Sequence, residues 1–169
     1  IINISKKYLK FVCKNSFFDR RVNIYNLSGE KFIEGKKNLY DVVVVDSTNF
    51  SEINSLSLYS VNFYKKVYSL LKKDGIIITL GASFLDAPFI KKIKNNIKKA
   101  FKNTAIYRFC MPSYHCGEYC FVGGAKNIRL KKIETQKINQ KFEKLKTKYK
   151  FKDYSPEIHK TSLILPFDF

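Results

Sequence analysis

The residue in this sequence best placed to do chemistry is Asp46, which ends an unbroken run of β-branched residues. The run Tyr40–Asp46 (YDVVVVD) is typical of a strand buried on both faces of a parallel sheet. Ligands of open α/β sheets bind beyond the carboxyl ends of the strands, so this position favours a catalytic or binding carboxylate. An Asp that follows a strand can also cap a turn, and position alone leaves that alternative open.

A second group that could do chemistry is His115, Cys116 and Cys120. The spacing His-Cys-x-x-x-Cys lacks the paired, short-spaced ligands of structural zinc sites, so we predict no metal. The sequence shows no signal peptide and no apolar run near the roughly 20 residues that a membrane span needs. Together with four Cys residues, these features predict a reduced, cytoplasmic protein that does not enter a membrane.

The net charge of +18 would suit an anionic partner, because clustered Lys and Arg gain affinity by releasing counterions. However, only four of the 32 basic residues are Arg, and the chain is also rich in Asn, Ile, Phe and Tyr, a bias that an AT-rich genome imposes whatever the function. We therefore predict a solvated, Lys-rich surface and do not expect a nucleic-acid partner. The best candidate for any polyanion contact is Lys131–Lys152.

Strands and helices alternate along the chain, which favours a mostly parallel sheet covered on both faces. The predicted strands are Val22–Leu27, Tyr40–Asp46, Ile76–Thr79, Thr104–Cys110 and Tyr119–Val122. The predicted helices are a brief one around Glu30–Ile33, one from the Ser60 cap to Asp74-Gly75, one that opens at Pro88, and Lys131–Lys152 as an amphipathic helix or mobile arm.

The last two strands are joined by only Met111–Gly117, so they must pair as an antiparallel hairpin at the sheet edge, with its tip over the crevice. With 169 residues, the chain has material for one domain. Its tail, Asp153–Phe169, turns apolar again and is expected to dock on the body. The chain begins without Met and within a helix-like pattern, which predicts that sequence is missing upstream.

Three segments, in order, resemble the spermidine synthase (polyamine aminopropyltransferase) family. They are Tyr40–Asn49 (YDVVVVDSTN), Met111–Gly117 (MPSYHCG) and Asp153–Pro166 (DYSPEIHKTSLILP), beside family forms YDVIIVDSTDP, PTYPSG and YYNPEIHxAAFxLP. Leu58–Gly75 resembles the family's LFTEEFYKxVxRALKxDG as well. The resemblance implies an open Rossmann-like, methyltransferase-type α/β fold with helices on both faces. It also implies that residues 1–169 are part of a catalytic domain that lacks its first strands, Gly-rich turn and amino-terminal β domain.

The family's reaction moves an aminopropyl group from decarboxylated S-adenosylmethionine to putrescine, giving spermidine and methylthioadenosine. The resemblance therefore implies a homodimeric transferase with this cosubstrate and no other cofactor. A sulfonium is already a good leaving group, so the enzyme must hold the amine in line and remove its proton. A free primary amine has a pKa of about 10.4 and arrives mostly protonated. The resemblance assigns proton removal to Asp46 and orientation of the amine to Tyr114.

Three substrate-binding positions depart from the family pattern. Asn49 stands where the family has a second Asp, and Leu80 stands where many members carry a Gln toward the polyamine. Ser28 stands where family members carry the Asp that recognises the adenine of the cosubstrate. These departures keep a second hypothesis open, a catalytically impaired family member that serves as a structural or regulatory subunit. A methyltransferase-like enzyme with another acceptor and a basic RNA-binding module are the remaining alternatives.

Overall fold

The computed structural model describes residues 1–47, 53–114, 116–166 and 168–169. The chain forms two compact units, Ile1–Phe32 and Ile33–Phe169. The sequence predicted a single domain, and whether the two units act as one stays a prediction.

The first unit contains short helices whose apolar side chains are largely exposed. Helices α1 (Ile2–Tyr8) and α2 (Lys10–Cys13) have no buried residue, and α3 (Gly29–Ile33) forms where a brief helix was predicted. The predicted strand Val22–Leu27 is not formed, and Val22, Ile24 and Leu27 are all exposed. Two β-branched residues and a Leu do not make a strand by themselves, because a strand needs a neighbour to pair with its backbone.

The second unit is built on a four-stranded sheet of order β1-β2-β4-β3. Its strands are β1 (Tyr40–Val45), β2 (Leu71–Ser83), β3 (Asn103–Cys110) and β4 (Glu118–Ala125). The predicted α/β class and the antiparallel hairpin at the edge are confirmed. Of the three pairings, however, β1 with β2 is parallel and the two that involve β4 are antiparallel. The described sheet is therefore mixed rather than mostly parallel, because the hairpin supplies half of its strands.

Two adjacent glycines on β4 show how both faces of this strand are covered. A Cβ on Gly124 would come within 2.8 Å of Ile97 and 2.9 Å of Phe101, so α5 (Ala87–Lys98) packs directly on that face. A Cβ on Gly123 would instead meet Leu130 at 3.3 Å on the opposite face. Successive strand residues point to opposite faces, and the absent side chains let the covering elements approach closely.

The helices α4 (Val61–Leu70) and α5 begin at side-chain caps. Ser60 accepts a hydrogen bond from the backbone N–H of Phe63 at 3.1 Å, and Asp86 accepts one from that of Phe89 at 3.3 Å. Each helix then buries one stripe, made of Phe63, Tyr64, Val67 and Leu70 in α4 and of Phe89, Ile90, Ile93 and Ile97 in α5.

The end of α4 differs from the prediction. The helix stops at Leu70 instead of Asp74-Gly75, because the backbone of Leu71 is already extended and begins β2. A Cβ on Gly75 would lie 2.6 Å from that of Leu71, so the glycine allows the compact irregularity at which the pairing with β1 shifts between Leu71 and Ile76. The Asp-Gly pair that suggested a helix stop thus marks an irregularity inside the strand.

The carboxyl-terminal part follows the predicted plan. Helix α6 (Thr135–Lys146) lies inside the predicted amphipathic segment and has no buried residue. Helix α7 (Pro156–Thr161) is capped by Ser155. The backbone N–H of Arg108 in β3 donates to the backbone carbonyl oxygen of Ser162 at 2.8 Å. The tail therefore docks on the sheet, as expected. None of the helices in the described ranges has the length and apolarity that a membrane crossing requires.

Candidate active site

Asp46 lies at the carboxyl end of a parallel strand pair. It follows β1 directly, is exposed, and comes one residue after Val45, which pairs with Thr79 of β2. The sequence correctly placed Asp46 after a strand, but the expected burial of that strand on both faces is wrong. β1 lies at the edge of the described sheet, and Val42 and Val44 on one of its faces are 54% and 63% exposed. A run of Val predicts a strand, whereas its burial depends on which elements cover it. In an open α/β sheet the carboxyl edge is where ligands bind, so the carboxylate is available to a substrate. Its catalytic role stays a prediction.

The hairpin that carries Tyr114 reaches the same edge of the sheet. Strand β4 runs antiparallel to β2, with Tyr119 opposite Ser83, so the start of β4 lies beside the end of β2. Strands lie about 4.8 Å apart, so β4 is roughly 10 Å from β1 across the sheet. The Asp46 end and the Tyr114 hairpin therefore flank one stretch of the carboxyl edge.

Tyr114 is positioned by two backbone hydrogen bonds of its turn and by the contact of its ring with Tyr119. Its backbone N–H donates to the Met111 carbonyl oxygen at 2.9 Å, and the Gly117 N–H donates to the Tyr114 carbonyl oxygen at 3.0 Å. Its ring stands edge-on to that of Tyr119, with 4.8 Å between the centroids. The side chain is 44% exposed, so its hydroxyl can reach a ligand while the turn fixes its backbone.

Tyr59 belongs to this edge, and the sequence did not reveal it. Its side chain is only 4% exposed, its ring packs edge-on against Phe89 at 5.4 Å, and Asn96 donates to its backbone carbonyl oxygen at 2.9 Å. Burial raises the pKa of the Tyr59 phenol, and the negative charge of Asp46 raises it further. The phenol therefore lies within electrostatic reach of the carboxylate. The sequence signal was weak: an aromatic residue next to a helix cap is normally a core residue.

The structure does not bring the other three predicted positions together with Asp46 and Tyr114 as polar groups of a site. Leu80 follows Thr79 and so lies beside the Asp46 end, but it is 8% exposed and pairs with Phe121. Ser28 belongs to the first unit, where its hydroxyl accepts from the Lys31 N–H at 3.4 Å and caps α3. Asn49 lies outside the described residues.

No three His, Cys, Asp or Glu residues in the described ranges, which leave out His115, are grouped so that they could hold a metal ion. Cys110 and Cys116 are exposed free thiols, while Cys120 is buried and burial raises its pKa to about 11. The polar groups considered for this site are the Asp46 carboxylate and the phenols of Tyr59 and Tyr114.

A carboxylate beyond a parallel strand, with a hairpin reaching the same edge, is typical of an open Rossmann-like α/β protein. Residues 1–137 match the spermine/spermidine synthase domain, and the chain belongs to this family. The family prediction from the sequence is confirmed.

The relatives and structural neighbours extend beyond this chain. Polyamine aminopropyltransferase of Caldicellulosiruptor saccharolyticus is 34% identical over 167 residues, which are 98% of this chain and 56% of that protein. The crystal structure of spermidine synthase from Thermotoga maritima superposes with a TM-score of 0.81 at 29% identity, covering 98% of this chain and 54% of that one. A spermidine synthase in complex with the transition-state analogue AdoDATO has a TM-score of 0.84 at 29% identity, covering 98% and 55%. The chain thus spans a little over half the length of these proteins.

Proposed function

We propose that the full-length protein transfers an aminopropyl group from decarboxylated S-adenosylmethionine to putrescine, giving spermidine and methylthioadenosine. The observation that carries the proposal is the Asp46 carboxylate at the carboxyl end of a parallel strand, on the edge that the Tyr114 hairpin also reaches. Membership of the spermine/spermidine synthase domain family supports it. Residues 1–169 are then part of a cytoplasmic, homodimeric transferase with no cofactor besides its cosubstrate.

The chemistry asks for positioning and one proton transfer. The amine nitrogen of putrescine attacks the aminopropyl carbon next to sulfur, so an N–C bond forms and the C–S bond breaks with its electron pair going to sulfur. The sulfonium becomes a neutral thioether, and the proton released by the nitrogen goes to Asp46. Tyr114 orients the amine through its hydroxyl, which fixes the line of attack.

Tyr59 completes the site in this proposal. Burial raises the pKa of its phenol, and the negative charge of Asp46 raises it further, so the phenol remains a neutral hydrogen-bonding group near the carboxylate.

Asn49→Asp is expected to lower the KM for putrescine by about tenfold with a smaller change in kcat. A charge-assisted hydrogen bond to an ammonium is about twice as strong as a neutral one, so a carboxylate here improves capture of the dication more than proton transfer. Asn95→Asp, on the exposed face of α5, makes the same change in charge away from the site. A parent without turnover that Asn49→Asp does not rescue would overturn the proposed activity.

A second candidate is a catalytically impaired subunit that serves a structural or regulatory role. It is favoured by two observations: Leu80 is buried where the family carries a polar side chain, and the Ser28 hydroxyl is engaged in capping α3. Neither residue carries a charge that could hold a substrate group. The Asn49→Asp experiment separates this candidate from the enzyme.

A further inference from the structure

A strongly basic cleft lies at the opposite edge of the sheet from Asp46. It is formed by the end of α5, the start of β3 and the segment after β4, and its volume is about 440 Å³. Asn103 at the start of β3 pairs with Ala125, and Ala125 pairs with Ile76 near the start of the straight part of β2. The cleft is therefore at the amino end of β2, whereas Asp46 is at the carboxyl edge.

Six of the nine residues that line the cleft are basic, and they come from two walls. They are Lys94, Lys98, Lys102, Arg129, Lys131 and Lys132. On one wall, Lys94 and Lys98 are one helical turn apart on α5, whose opposite side is buried through Ile93 and Ile97. The other wall is anchored by Leu130, which is 4% exposed and packs with Ala105 and Ala125. Packed elements thus bring the cations together.

The positive charge of this cleft is compensated at Lys94, whose ammonium donates to a terminal oxygen of Phe169. Burial lowers the pKa of Lys94, and the charges of Lys131, Lys98 and Lys91 lower it further. The described residues that line the cleft itself include no carboxylate.

Helix α6 is equally rich in Lys but has a different arrangement of charge. There Lys137 pairs with Glu134 at 3.1 Å and Lys146 pairs with Glu143 at 2.6 Å. Lys98, Lys102 and Arg129 make no such ion pair within the described part of the chain. Lys141 and Lys144 of α6 appear in no ion pair among the described residues either, so what distinguishes the cleft is that its cations converge from two walls.

We propose that this cleft binds a run of phosphate groups, such as the backbone of single-stranded nucleic acid. Cations that converge from two walls match a chain of anions better than a single one, and binding releases counterions from the phosphates. The described lining includes no aromatic side chain on which a base could stack, so we expect recognition of phosphates without preference for sequence. Inorganic polyphosphate offers the same chemistry and is the alternative source of the ligand. This inference does not rest on the proposed aminopropyl transfer.

The test is the fluorescence anisotropy of a labelled single-stranded RNA titrated with the full-length protein between about 50 and about 200 mM salt. The variant Lys98→Glu/Arg129→Glu changes one exposed cation on each wall. The control Lys65→Glu/Lys66→Glu makes the same change in net charge at exposed residues of α4 outside the cleft and outside Lys131–Lys152. Unlabelled RNA and inorganic polyphosphate then compete at equal phosphate concentration, and the stronger competitor identifies the source of the phosphates.

The cleft variant is expected to lose about tenfold more affinity than the control and to reduce the slope of log K against log salt by about 1.4, the contribution of two phosphate contacts to a single strand. Lys98→Gln/Arg129→Gln should give a smaller loss in the same direction. Equal losses in the cleft and control variants would overturn the proposal, because they would show that net charge alone attracts the RNA. A parent protein that binds neither RNA nor polyphosphate at the lowest salt would overturn it as well.

Discussion

Asp46→Asn is expected to lower kcat for aminopropyl transfer by a factor of about 10² to 10⁴, the usual contribution of a general base. An amide keeps the shape of the side chain but cannot accept the proton of the attacking amine. Because Asp46 is exposed after β1, the substitution should leave the melting temperature nearly unchanged. The measurement is methylthioadenosine release by the full-length protein at saturating putrescine.

Asp41→Asn is the matched control, because Asp41 lies near the other end of β1. It is exposed and forms an ion pair with Lys72 at 2.7 Å, so its replacement should cost little stability and no activity. Turnover that survives Asp46→Asn undiminished would show that another group removes the proton. A similar loss of activity in both variants would show that the effect comes from the strand as a whole.

Phe101→Ala is expected to lower the free energy of unfolding by about 3 to 5 kcal/mol, as for other fully buried aromatic residues. Phe101 is 0% exposed, and its ring packs against Tyr68 at 5.2 Å and over the backbone of Gly124. The cavity left behind lies between α4, α5 and the hairpin, where close packing on a glycine leaves little freedom to collapse. Urea unfolding followed by circular dichroism measures the change.

Leu85→Ala provides the comparison, since Leu85 is 77% exposed and its truncation should change stability by about 0.5 kcal/mol or less. If Phe101→Ala were as mild as Leu85→Ala, the packing of α5 on β4 described above would be wrong. An intermediate cost would indicate that α5 shifts to fill the cavity.

The elements that the sequence predicted well are those with a local physical signal. Ser60 caps α4, the buried stripe of α5 follows helical spacing from Phe89, and the short Met111–Gly117 link forces the hairpin. The failures involve signals that depend on distant residues. Val22–Leu27 has the composition of a strand but no strand partner among the described residues, and Gly75 marks a shift of register within β2 rather than the end of a helix.

The residues of the candidate site also divide into those with a local sequence signal and those that depend on distant parts of the chain. Asp46 was recognisable because it ends a β-branched run that predicts a strand, and topology then placed Tyr114 at the same edge. The burial of that strand on both faces was predicted wrongly, because Val42 and Val44 are exposed. Tyr59 was not recognisable, because its relation to Asp46 arises across the fold rather than along the sequence. The basic cleft is similar: its Lys and Arg residues are ordinary in this sequence, and their convergence appears only when α5 and the segment after β4 are folded together.

The most direct test of the account is to incubate the full-length protein with decarboxylated S-adenosylmethionine and isotopically labelled putrescine, and to identify the products by mass spectrometry. The account predicts labelled spermidine and methylthioadenosine in equal amounts, with both lost in Asp46→Asn. Absence of labelled spermidine from the parent, or transfer of a methyl group from S-adenosylmethionine in its place, would contradict it.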